Sequence, residues 1–163
     1  MKLKIALAAA SMLCAPAFMA AHAQEANVYL NGGYTQFDGN SATGGSDPGA
    51  LTARVGVGFG KYFAVEGEGS VGVHKDGGVK LDNEIGAYAV GKLPIGDKFD
   101  IFARAGAART DFNGPGTGGS DSGFAYGAGA DFMFTPHDGI RADWTRHDYN
   151  DIDSYAVSYV RKF

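Results

Sequence analysis

Apolar and polar residues alternate with a period of two along most of this chain, and that period predicts strands rather than helices. The last ten residues show it well. Counting back by twos from Phe163 gives Arg161, Tyr159, Val157 and Tyr155; the other parity gives Lys162, Val160, Ser158, Ala156 and Ser154. One face is large and mostly apolar, and the other is small or polar. Residues 51–60 set Leu51, Ala53, Val55, Val57 and Phe59 against Thr52, Arg54, Gly56, Gly58 and Gly60. Residues 63–74 set Phe63, Val65, Gly67, Gly69, Val71 and Val73 against Glu66, Glu68, Ser70, Gly72 and His74. The same alternation recurs over 81–93, with Leu81, Asn83 and Ile85 opposite Asp82 and Glu84, and over 99–109, 124–134 and 140–146. A first strand is expected over 27–37.

The pattern predicts eight strands. Three tight turns, at Gly60-Lys61-Tyr62, 94–98 and 135–139, alternate with four longer polar connections over 38–49, 75–78, 111–123 and 147–153. Tight turns at one rim and long loops at the other describe an up-and-down antiparallel barrel. The closing seam is expected between the last strand and the first, which leaves no free edge.

The polarity of the two faces decides what surrounds that barrel. The polar face carries Arg54, Glu66, Glu68, Asp82, Glu84, Lys92, Asp100, Arg104, Asp131, Arg141 and Asp143 in the middle of strands, interspersed with glycine. Acids and bases mixed among small residues suit a narrow interior filled by ion pairs. The other face is Val, Ala, Leu and Ile, with aromatic residues gathered toward strand ends: Phe37, Phe59, Tyr62, Phe63, Phe99, Phe112, Phe124, Phe132, Phe134, Trp144, Tyr149, Tyr155 and Phe163. An apolar band between aromatic belts is what a bilayer and its two interfaces select, and strands of about ten residues can cross it when tilted. The expected fold class is therefore all-β, an eight-stranded antiparallel up-and-down transmembrane β-barrel; a soluble secreted barrel is the structural alternative.

Composition narrows the function classes. Lys2 and Lys4, an Ala-rich apolar run and Ala21-His22-Ala23 read as a signal peptide over residues 1–23, cleaved before Gln24 and leaving a barrel domain over 24–163. Loss of the leader removes Cys14, the one cysteine, and takes the formal charge from −4 to −6. No disulfide framework and no cysteine zinc site would then be available. No basic patch points to nucleic acid. The 26 glycines lie inside alternating segments as well as in loops, which fits strands packed closely around a tight interior.

Asp121-Ser122-Gly123-Phe124-Ala125-Tyr126-Gly127-Ala128-Gly129, with Gly32-Gly33-Tyr34-Thr35-Gln36, Gly86-Ala87-Tyr88 and the final Phe163, resembles the small eight-stranded outer-membrane barrels of the OmpX type and the OmpA-type barrel domain. The resemblance implies location in the outer membrane of a Gram-negative envelope. Its partners would be outer-membrane lipid and lipopolysaccharide, and the barrel assembly machinery, which reads the C-terminal strand through Tyr155, Val157, Tyr159 and Phe163. The family's terminal signal carries an aromatic where this chain has Arg161, near a rim where its side chain can snorkel.

Catalytic chemistry has little support in the residue pattern. Barrels of this kind can be lipid-modifying enzymes or proteases, which need a Ser–His–acid or Asp–His set. His74 and Ser70 share a face but lie four residues apart, and His137 and His147 fall in connections, so rim histidines without a catalytic role are expected. Asp148, Asp151 and Asp153 read as a solvated acidic loop rather than a calcium site. Gly56-Val57-Gly58 and Gly127-Ala128-Gly129 lack a following helix and are not nucleotide motifs. No cofactor, metal or catalytic residue is predicted. The candidate site is instead a lumen ion-pair network of Arg54, Glu66, Glu68, Arg104, Asp131, Arg141 and Asp143. The functional expectation is a non-enzymatic, monomeric envelope protein whose surface loops contact partners; a porin-like small-solute channel and a lipid-modifying enzyme are the alternatives.

Overall fold

The computed structural model describes residues 26–39, 47–74, 80–113, 119–149 and 151–163. The leader over 1–23, its cleavage site and Cys14, the tips of the connections over 38–49 and 111–123, and the 75–78 connection lie outside the described residues. Eight strands follow one another: β1 (Ala26–Gly39), β2 (Gly49–Phe59), β3 (Phe63–His74), β4 (Lys80–Ile95), β5 (Phe99–Asn113), β6 (Gly119–Met133), β7 (Asp138–His147) and β8 (Ile152–Lys162). Each pairs antiparallel with the next, and β8 returns to β1 in a register running from Tyr29 opposite Lys162 to Gly39 opposite Ile152, which closes the barrel. At one end the strands are joined by tight turns, two of which begin at Gly60 and Gly96 with φ of 69° and 78°, a conformation open to glycine without penalty.

Burial alternates along every strand, and the faces are inverted relative to a soluble barrel. Arg141, Glu66 and Asp131 are 0% exposed, whereas Val157, Phe163 and Phe63 are exposed by 63%, 65% and 67%. In water such an outer surface would forfeit roughly 25 cal/mol for each Å² of apolar area left uncovered; facing acyl chains it costs nothing. The molecule is thus an all-β, eight-stranded, antiparallel up-and-down barrel of the transmembrane type. Aromatic side chains ring its outside at the turn end through Phe59, Tyr62, Phe63, Phe99, Phe132, Phe134, Tyr159 and Phe163. At the loop end Tyr34, Phe124, Tyr126 and Tyr155 are exposed and Trp144 packs edge-on against Tyr126.

Several positions depart from strict alternation, each for a local reason. A register shift between Leu81 and Asn83 turns Leu81 inward, fully buried, and leaves Asp82 exposed outside. One extra residue in a bulge inverts the parity on its far side. Phe37 lies in the same parity as Tyr29 and Asn31 and is buried inside the barrel rather than in an outer belt. Tyr149 also turns inward, against the buried cluster that includes Tyr88 and Ala108. Of the aromatic positions expected on the outside, Phe112 has a side chain outside the described residues. The connection expected over 111–123 is mostly strand, since Asp111 pairs with Ser120 and Arg109 with Ser122. A hairpin continued beyond the bilayer is held by its backbone ladder, so it needs no apolar face to announce it.

The interior is narrow, and bulky lumen residues face glycine across the ladder. Tyr29 lies opposite Gly56, and a Cβ added at Gly56 would enter the Tyr29 ring. Tyr29 cannot step aside freely, because its hydroxyl donates to Glu66 Oε1 (2.7 Å) and Lys92 Nζ sits 3.8 Å above its ring. Gly56→Ala should therefore destabilise the refolded barrel by about 1–3 kcal/mol through overpacking. Gly91→Ala, where a Cβ meets open space on the outer face, should leave the stability unchanged. Urea unfolding in lipid vesicles checks both; equal stability of the two variants would contradict the packing account.

Candidate functional site: a charged, layered lumen

β2, β3, β5, β6 and β7 each project ionised side chains into the lumen because those residues share the inward parity of their strands. All seven residues of the predicted network meet there. Nearest the turn end, Arg141 Nε and Nη2 grip Asp131 at 2.6 and 3.0 Å, and Nη1 donates to Glu66 Oε1 at 2.5 Å. The Arg141 guanidinium also stacks 4.3 Å from the centre of the Phe102 ring. Higher up, Arg54 donates from Nε to Glu68 and holds Asp143 through Nη1 and Nη2 at 2.8 and 3.0 Å. Arg104 donates to Glu68 Oε2 (2.8 Å) and, from Nη2, to Thr145 Oγ1 (2.7 Å), with its guanidinium 4.2 Å from the Tyr88 ring centre. The two tiers touch where Arg104 Nη1 approaches Glu66 Oε2 at 3.8 Å.

Three guanidinium groups thus face four carboxylates, and Lys92 supplies a fourth cation from β4. Removing such charges from water costs several kcal/mol for each ion, and the pairing recovers this only when most donors and acceptors are satisfied. All three arginines make two-bond contacts with a carboxylate, Arg54 with Asp143, Arg141 with Asp131 and Arg104, with one long bond of 3.5 Å, with Glu68, a geometry lysine cannot reproduce. Glu66 Oε2, Tyr88 Oη and Ser158 Oγ are the buried side-chain atoms among the described residues that lack a hydrogen-bond partner.

A different chemistry fills the loop-side half of the lumen. Thr35, Thr52 and Ser70 form a hydroxyl chain across β1, β2 and β3, with links of 2.6 and 2.8 Å. Ser70 lies opposite Glu84 on β4, and Glu84 lies opposite Thr110 on β5, whose hydroxyl donates to Glu84 Oε2 (2.9 Å). Thr110 Oγ1 is 2.5 Å from Tyr149 Oη, which is 3.3 Å from His147 Nδ1. His147 Nε2 is 3.3 Å from Ser154 Oγ on β8. β6 contributes space instead of a side chain, since a Cβ on Gly123 would come within 2.8 Å of Tyr149. Above this layer Phe37, Ala50, Leu81 and Ile152 form an apolar cap.

Sequence reasoning placed His147 in a connection, but it ends β7 and is 1% exposed inside the barrel. Its contacts with Ser154 and with Glu84 (3.8 Å from Nδ1) follow the order of a hydrolytic triad. Ser154 Oγ, however, donates to the Thr145 carbonyl (3.3 Å), and all three side chains are buried beneath the cap, away from the lipid-facing surface. Parity along β7 could have revealed the inward direction of His147, since Asp143 and Thr145 share it. The partners come from β4, β5 and β8 and could be found only through the barrel register.

His74 and His137 are exposed at opposite ends. Two of the three aspartates expected in the last connection are held by an arginine: Arg146 binds Asp151 and Asp153 at 2.8 Å each, and Trp144 Nε1 donates to Asp153 (2.9 Å). No cluster of three or more metal-ligating residues occurs among the described residues. In the terminal strand, Tyr155, Val157, Tyr159 and Phe163 all point outward. Arg161 folds along the rim to Asp138 (2.8 Å), which also accepts the Tyr159 hydroxyl, and its guanidinium lies 5.9 Å from the Phe163 ring centre.

Comparison with known proteins agrees with this architecture. The family model described as outer membrane protein beta-barrel domain matches residues 5–163. Among solved structures, the crystal structure of the N-terminal β-barrel domain of Pseudomonas aeruginosa OprF superposes with a TM-score of 0.66 at 13% identity, covering 84% of this chain and 97% of that one. OprG, an outer membrane protein of the same organism, gives 0.62 at 13% identity, with 85% and 96% covered. Ail, the attachment invasion locus protein of Yersinia pestis, solved in complex with the heparin analogue sucrose octasulfate, gives 0.58 at 19% identity, with 86% and 100% covered. At these identities the likeness is one of fold. A search of curated protein sequences finds no match.

Arg104→Ala should destabilise the barrel by about 3–5 kcal/mol, because it leaves buried carboxylates under-compensated. Arg109→Ala should cost less than about 1 kcal/mol: the Arg109 side chain is 57% exposed and sits 3.7 Å from Asp111. Equilibrium urea unfolding of the refolded proteins, read by gel mobility before boiling, separates the two.

Proposed function

The chain belongs to the outer membrane protein beta-barrel domain family, and from that membership we propose that it is a non-enzymatic, non-conducting barrel of the outer membrane with a structural role in the envelope. The observation that carries this reading is the lumen itself. Two tiers of ion pairs, a hydroxyl layer and an apolar cap occupy the space through which a solute would have to pass. Eight strands enclose an interior just wide enough for side chains to fill it. The buried Ser154 and His147 give no surface at which a lipid ester could meet a nucleophile. Export would use residues 1–23 as a cleaved signal peptide. The barrel would sit as a monomer among outer-membrane lipid and lipopolysaccharide, assembled through its C-terminal strand. The polar connections at the loop end would make whatever surface contacts the protein has.

The mature protein is expected to fractionate with outer membranes and to change gel mobility on boiling. In planar bilayers at neutral pH it should produce no discrete conductance steps, and lipid A mass profiles should be the same with and without it. Recovery in the soluble periplasmic fraction would overturn the location, steady conductance would favour a small-solute channel, and an altered lipid A mass would favour a lipid-modifying enzyme.

A further inference from the structure

The two halves of the lumen differ in how they respond to protons. The turn-side tiers are built on guanidinium groups, which stay charged at every accessible pH. The loop-side layer has no guanidinium of its own. Its ionisable members are Glu84, His147 and Tyr149, joined through Thr110 into a closed loop of contacts: Glu84 to Thr110 (2.9 Å), Thr110 to Tyr149 (2.5 Å), Tyr149 to His147 (3.3 Å), and His147 back to Glu84 (3.8 Å). Glu84 and His147 are 2% and 1% exposed.

We infer that Glu84 and His147 share one exchangeable proton and form a pH-operated latch that holds β4, β5, β7 and β8 together at the loop end. With one proton between them the pair has no net charge, whichever side chain carries it. In acid the pair gains a second proton and becomes cationic. In base it loses its proton and becomes anionic. Either change leaves a buried charge without a counter-ion in the layer.

The neighbours of the pair sharpen this effect. Glu68 from β3 and Arg104 from β5 act on both Glu84 and His147 from the tier below. Asp153 acts on His147 from β8, Asp121 on β6 acts on Tyr149, and Tyr88 of β4 faces Glu84. Arg104 and Glu68 are already committed to each other, so a cation formed at the pair meets Arg104 and an anion meets Glu68. From β1, Phe37 offers only an apolar ring, its centre 6.0 Å from that of His147. Relief in acid comes from admitting water beneath the cap, which requires the ends of β7 and β8 to part.

The inference rests on the lumen being closed at neutral pH, but its test reads a difference between proteins rather than conductance. Hydrogen exchange of β7 and β8 peptides is measured on the refolded full-length barrel in lipid vesicles from pH 7.5 to 4, corrected for the intrinsic rate. In the wild type, exchange should accelerate by about tenfold per pH unit once the second proton binds, the slope of a single-proton linkage. His147→Gln, which cannot accept that proton, should show no such rise. A flat wild-type profile would overturn the latch, as would an equal acid response in His147→Gln. Should the variant fail to refold, histidine ring resonances of the wild type decide. Titration of His147 in step with the onset of exchange supports the latch, and titration without it overturns it. Conductance at neutral pH would count against the closed lumen and leave this comparison to be read on its own.

Discussion

The carboxylates and guanidinium groups inside this barrel are taken out of bulk water, because side chains fill an eight-stranded interior, and they must find their counter-charges in one another. The rest of the architecture follows from that constraint. Inward parity sends Arg54, Arg104 and Arg141 into the axis, and each meets at least one acid on a strand distant in sequence: Arg141 reaches Glu66 on β3 as well as Asp131 on the neighbouring β6. Arg54–Glu68 and Arg141–Asp131 lie side by side within one hairpin, whereas Arg54–Asp143, Arg104–Glu68 and Arg141–Glu66 span the lumen and link strands that the backbone ladder does not join. A barrel whose outer face contributes little cohesion in lipid gains its cross-axis connection from these contacts.

Volume is the second condition, and it acts through the same residues. Several of the bulky lumen residues enter where the strand opposite offers glycine. Gly56 faces Tyr29, Gly106 faces Tyr88, Gly129 faces Phe102 and Gly127 faces Arg104. The high glycine content reflects this complementarity rather than disorder. It also explains why the outer face can be read so directly: outward residues meet acyl chains, which impose hydrophobicity but little shape, so Val, Leu, Ile and Ala interchange there.

Period-two alternation made the fold legible from the residues alone, together with the inversion of its faces and the seven charges of the ion-pair network. Each of those features repeats along strands or sits mid-strand, where parity is unambiguous. What the sequence concealed lies at the loop end. The bulge that turns Leu81 inward and Asp82 outward has no signature in a single strand, because it depends on the register with Phe112 and Asp111. Phe37 and Tyr149 were placed outside because aromatic residues near strand ends suit a membrane interface; here they line a lumen cap and a buried hydroxyl layer instead. His147 was hidden by being counted with the polar residues of a connection, although it continues the inward parity of Asp143 and Thr145.

The order of the layers along the axis has its own physical sense. Guanidinium groups, whose charge does not depend on pH, pair with carboxylates in the turn-side half, where short connections join the strands. Groups whose charge depends on protons occupy the loop-side half, next to the longer connections, under a cap made only of apolar contacts. If the layers were reversed, the proton-sensitive groups would be clamped between tight turns and a change in their charge would have to be absorbed by strain. As built, the half that carries the Glu84–His147 pair is also the half next to the longer connections. A base of guanidinium pairs beneath a layer that has none places the proposed proton response at one end of the molecule.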